Sequence, residues 1–94
     1  MVREKSQDAL LLCFWQNDPE KGIMELQKTY GGLVFHLVSR ILPQNPQDAE
    51  EVAADVLVAA WKQAEKLQKE QIPLAAWLTV TARNRAIDRW RTLT

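Results

Sequence analysis

The sequence predicts an all-α protein, a compact bundle of about four helices in one domain, and three observations predict it. Only three glycines and four prolines occur in 94 residues, whereas Ala, Leu, Glu, Gln, Lys and Arg, the strong helix formers, are plentiful. Apolar residues recur at three- and four-residue steps, and no stretch shows the apolar/polar alternation of a strand. The Asn, Asp and Pro residues gather at a few places and cut the chain into helix-length pieces. With 47% hydrophobic and 26% charged residues, the chain has ordinary globular composition and enough length for one modest core.

The first helix is expected from about Ser6, a suitable N-cap, through Trp15, stopping at Gln16-Asn17-Asp18-Pro19. Asp18 then caps a second helix with Pro19 at its first position. Ile23, Leu26, Tyr30, Leu33, Val34, Leu37, Val38 and Ile41 form its apolar stripe up to Pro43. Gly31 and Gly32 interrupt that helix at a cost of about 2 kcal/mol relative to alanines, and a close helix–helix approach would explain them. Asn45-Pro46-Gln47-Asp48 repeats the starting device for a third helix, with a carboxylate at the positive end of the dipole. Ala49, Val52, Ala53, Val56, Ala60 and Trp61 face inward from it. The polar run Gln63–Gln71 reads equally as helix tail or as loop. Pro73 opens the fourth helix, in which Leu74, Trp77, Leu78, Ala82, Ala86 and Ile87 are available for packing.

Enzyme chemistry finds no support. His36 is the sole histidine and has no Cys, Asp or second His at ligand spacing, so neither a metal nor a cofactor is expected. Cys13 stands alone among apolar neighbours, where an inert buried thiol is the simpler reading and no internal disulfide can form. Phosphate loops, nucleophile elbows and zinc signatures are absent. Apolar runs fall far short of the roughly 20 residues that span a bilayer, and the start lacks a signal-peptide core. A soluble cytoplasmic protein with no membrane partner is expected.

The charge is unevenly placed. Residues 1–58 carry five Lys/Arg and nine Asp/Glu, and residues 59–94 carry seven and three, so a net charge of zero divides into −4 and +4. Such a split points to two surfaces that meet partners of opposite character. On the third helix Asp48, Glu51, Asp55 and Lys62 share the face opposite the stripe. On the fourth, Arg83, Arg85, Arg89 and Arg91 surround Asn84, Asp88 and Trp90. Guanidinium groups pair with phosphates, an Asn amide reads a base edge, and Trp77 or Trp90 offers a stacking plane to an unpaired base. The competing reading is structural: arginines near a helix C-terminus complement its dipole and pair with Asp88.

The order of these features carries a resemblance. Asp48-Ala-Glu-Glu-Val-Ala-Ala-Asp-Val-Leu57, then Trp61, a polar spacer, and Ala76-Trp-Leu-Thr-Val-Thr-Ala-Arg-Asn-Arg-Ala-Ile-Asp-Arg-Trp-Arg91 resemble region two of the extracytoplasmic-function sigma factors. The stretch from Leu10 to Tyr30 is similar to that family's opening helix pair. The Ala82–Arg89 segment is the most specific part. The resemblance implies an all-helical domain that binds RNA polymerase and melts the promoter −10 element. It implies polymerase contacts at Asp48, Glu51, Ala54, Asp55 and Val58, made with the clamp coiled coil of the largest subunit. It implies DNA contacts at Lys66, Lys69, Gln71, Trp77, Arg83, Asn84, Arg85, Asp88, Arg89 and Arg91. Of these, the loop from about Lys66 to Leu74 would receive a base flipped from the non-template strand. An anti-sigma factor is a further implied partner. The chain departs from the family pattern at Ala54 (usually Gln), at Leu57 (usually Phe) and at Val80-Thr81, where many members are basic or aromatic. A second domain that reads the −35 element is not among the 94 residues, so the expectation is the melting half of an initiation factor. The alternative is a sigma-like module that binds polymerase or an anti-sigma factor without reading DNA.

Overall fold

The structure, a computed structural model, describes residues 18–94; the helix expected over Ser6–Trp15 lies outside the described residues. Three helices follow: α1 (Pro19–Ile41), α2 (Pro46–Lys69) and α3 (Leu74–Leu93). Each packs against both of the others, and the described residues contain no strand.

The helix starts follow the local chemistry of the sequence. Asp18 caps α1, its carboxylate accepting the Lys21 backbone N–H at 3.2 Å, with Pro19 next and Glu20 in the first turn. Asn45 caps α2 through its backbone, its carbonyl accepting from Ala49 N at 3.0 Å, while its side chain makes no capping bond. Pro73 precedes α3 and its carbonyl accepts from Trp77 N at 3.1 Å.

Between α2 and α3 the sequence left helix and loop open, and the structure decides for helix as far as Lys69. Two forces extend it. Ala64 and Leu67 are buried and carry the apolar stripe two turns past Ala60. On the outside, Glu65–Lys69 and Lys66–Glu70 pair at one-turn spacing, 3.6 and 4.0 Å apart. The loop that was expected to begin near Lys66 is therefore a tight turn over residues 70–73.

Among the described residues the core is wholly apolar. Leu26, Val34, Val38 and Leu42 meet Ala49, Val52, Val56, Ala60 and Leu67 from α2, and Leu74, Leu78, Ala82 and Ala86 from α3. Tyr30, Leu37, Ile41, Trp61 and Trp77 are partly buried against this cluster. No polar or charged residue is buried among the described residues. Leu33, which the periodicity placed in the α1 stripe, stays 42% exposed. It lies at the edge of a face whose centre is already filled by Val34 and Val38. No helix of the described residues is long and apolar enough to cross a membrane.

Candidate functional site

Two surfaces emerge from the buried stripes by elimination. Turning Val52, Ala53, Val56 and Ala60 inward leaves Glu51, Ala54, Asp55 and Val58 exposed on α2. These four fall at i, i+3, i+4 and i+7, one continuous helix face, and hold two carboxylates, a methyl group and a Val. Asp48, placed with them by sequence, behaves differently. Its side chain is only 28% exposed and turns toward α3.

On α3 the buried set is Leu74, Leu78, Ala82 and Ala86. At 100° per residue this places Arg83, Asn84 and Arg91 away from the core, and all three are exposed. Val80 is 59% exposed, and the wheel places it between Arg83 and Asn84. Arg85, Asp88 and Arg89 lie on the flank facing α2. With Val52, Asp55 and Thr92 they line an open cleft of about 330 Å³ between the two helices. The four arginines thus form two sets, as the one-turn spacing of Arg85 and Arg89 on a face apart from Arg91 leads one to expect.

Within the cleft wall Arg89 Nη1 donates to Asp48 Oδ1 at 2.5 Å and stands 3.7 Å from Glu51 Oε1. The hydrogen bond to Asp48 raises the Arg89 pKa above its ordinary value, partial burial opposes it, and the charges of Asp48, Glu51 and Asp55 add to the rise. Arg89 and Asp48 were assigned from sequence to two different partners. In the structure they meet each other.

The remaining assigned residues divide by exposure. Lys66 and Lys69 sit on the last turn of α2, each paired with a glutamate, and are therefore not loop residues. Gln71 lies in the turn with φ 55°, in the left-handed region. Trp77 is partly buried against the core, whereas Trp90 is 49% exposed. Of the two tryptophans named as stacking planes, Trp90 is the accessible one; it was absent from the assigned DNA contacts. At 40° from Ala86 it continues the buried series by helical spacing, so the wheel alone does not find it. Among the described residues no cluster of His, Cys, Asp and Glu could hold a metal.

A family model described as sigma-70 region 2 matches residues 26–94, which include all of α2 and α3 and most of α1. The chain belongs to the sigma-70 region 2 family. That region of a sigma factor binds RNA polymerase and recognises the promoter −10 element, so this sigma domain is a transcription initiation module and its family is not one of enzymes. Searches of curated proteins and of solved structures return no match. The family match includes both faces of the domain described above.

Proposed function

We propose that this sigma domain is of the extracytoplasmic-function kind, that its residues act as one domain, and that it melts promoter DNA in the cytoplasm by trapping the non-template strand. The observation that carries the reading is the pairing of two separate exposed faces: Glu51, Ala54, Asp55 and Val58 on α2, and Arg83, Asn84 and Arg91 on α3. The first combines acid with a small apolar centre, which suits a basic helical partner, here the clamp coiled coil of the largest polymerase subunit. An anti-sigma factor competing for polymerase access would take the same face.

The second face suits single-stranded DNA. Arg83 and Arg91 engage phosphates, Asn84 presents an amide to a base edge, and Trp90 supplies a stacking plane. Gln71 and the short turn around it border the place where a flipped base is held. Extruding a base costs a few kcal/mol, which stacking and hydrogen bonds offset, and a captured base cannot re-pair. Binding energy alone then drives opening.

Asn84→Ala tests the base-reading role. Binding to single-stranded oligonucleotides varied one base at a time across a −10 element should weaken by about 1–3 kcal/mol, with selectivity lost at one position. An equal loss on every sequence would remove Asn84 from base reading. Reversing the charges of Glu51 and Asp55 should abolish recovery of polymerase with the domain, and undiminished recovery would exclude the α2 face.

A further inference from the structure

The outward side of α3 changes character along its length. Its first charged residue is Arg83, and Leu74–Ala82 before it carry no charge at all. Ala75, Ala76, Thr79 and Val80 are the exposed members of that stretch. Three of them are aliphatic, and the fourth turns its hydroxyl back on the helix, Thr79 Oγ1 donating to the Ala75 carbonyl at 2.8 Å. These two turns therefore offer solvent a shelf of methyl groups with no free side-chain donor. Val80 is 59% exposed, and Arg83 and Asn84 follow it one turn further on. A single exposed Val is ordinary on a protein surface, but this one ends an uncharged shelf that abuts the amide and guanidinium proposed above to hold DNA. We propose that Val80 is a specificity residue, its methyl groups packing on the C5 methyl of a thymine next to the base that Asn84 reads. This rests on the function proposed above and adds a second base reader of opposite chemistry.

Thymine is the one DNA base with an apolar group on its edge. Guanine, adenine and cytosine present donors and acceptors there, and against Val80 these lose water without gaining a partner. The shelf thus favours thymine twice, by burying its methyl and by leaving the polar edges of its competitors unpaired. Spacing fits as well. Ala76, Val80 and Asn84 fall on one row of the helix surface, and side chains four apart on such a row stand about 5–6 Å from each other. Neighbouring bases of a strand are about 3.4 Å apart when stacked and further when splayed, so one nucleotide step carries the strand from Asn84 to Val80. The reader is also held firmly. Leu78 and Ala82 on either side of it in sequence have no exposure, which anchors this turn to the core. A β-branched side chain in a helix keeps one preferred rotamer, so the methyl groups of Val80 are oriented before DNA arrives.

The test measures binding of labelled single strands by the full chain without polymerase, using the set varied one base at a time across a −10 element. Thymine should be preferred at a position adjacent to the one that Asn84 reads. Replacing that thymine by deoxyuridine removes only the C5 methyl and should weaken binding about fourfold, the worth of one buried methyl. The same replacement at other positions should change nothing, and 5-methylcytosine in place of cytosine at the Val80 position should recover a similar factor. Val80→Ala, at an exposed site where folding is secure, should erase most of the difference between thymine and uracil. Asn84→Ala should keep that difference while losing selectivity at its own position. A methyl effect that survives Val80→Ala, or none at any thymine, would overturn the assignment of Val80. A loss on Val80→Ala equal for every sequence would put a sugar on the shelf in place of a base and overturn it too. Selectivity at the Asn84 position without a methyl effect would leave the proposed function standing and remove Val80 alone. If the chain binds no strand, both fall.

Discussion

Gln71 holds a backbone conformation that an L-residue adopts at a cost, with φ at 55°. The reason is the way α2 stops. Ile72 N donates to Leu67 O at 3.0 Å and Gln71 N to Gln68 O at 3.1 Å, the paired bonds of a Schellman ending, whose left-handed position is normally a glycine. Gln71→Gly should therefore raise stability by about 0.5–1 kcal/mol, read from the midpoint of urea unfolding. If Gln71 also borders the captured base, the same variant should lose base selectivity while gaining stability. Lower stability would show that the Gln side chain holds the turn. At this scale the sequence revealed residue types and their helical spacing, enough to put Asn84 and Arg83 on an outer face. It could not reveal that Arg89 turns to a carboxylate 41 positions earlier, because that contact depends on how α2 and α3 lie together.

Among the elements, α2 shows where pattern reading runs out. Its start was legible in Asn45-Pro46 and its first four turns in the apolar stripe. Its end was hidden under a run of polar residues, because Ala64 and Leu67 are too widely set among charges to mark a face on their own. The inward faces of α2 and α3 are rich in alanine, with Ala49, Ala60, Ala82 and Ala86 fully buried. Small side chains at a helix contact permit a short separation between axes, which brings Arg89 within reach of Asp48. Ala60→Leu should cost about 1–3 kcal/mol through overpacking, measurable by thermal melting. Little change would mean that the interface has slack. The close helix approach expected at the glycine pair of α1 is not made by the described residues. A Cβ at Gly32 would meet nothing within 4 Å, and one at Gly31 only Gln27 Cγ at 3.3 Å, so no helix among the described residues presses on them. Gly32→Ala should stabilise by up to about 1 kcal/mol. A loss would reveal a packing partner outside the described residues.

For the molecule as a whole, a net charge of zero conceals a division of labour. Summed, it argues against nucleic-acid binding; resolved onto surfaces, it gives an acidic face on α2 and a cationic one on α3. The sequence showed this division along the chain, and folding converts it into a division in space, with one point of contact at Arg89 and Asp48. Cooperativity is also a property of this scale. Because each helix packs on both others, Leu78→Ala, at a position with no exposure, should cost about 2–5 kcal/mol and lower the melting temperature of all three helices together. Separate transitions for α1 and α3 would contradict a single shared core.

The wholly apolar interior has a mechanical consequence. Hydrogen bonds and buried ions fix the register of packed helices, since displacement leaves them unsatisfied, whereas contacts between methyl groups re-form after a small slide. Here nothing buried pins α3 to α2 among the described residues; their relative position rests on alanine and leucine surfaces plus one polar tie at the rim. A small shear of α3 along α2 therefore breaks no buried hydrogen bond or ion pair among the described residues. The tie that limits it joins Asp48 near the start of α2 to Arg89 near the end of α3.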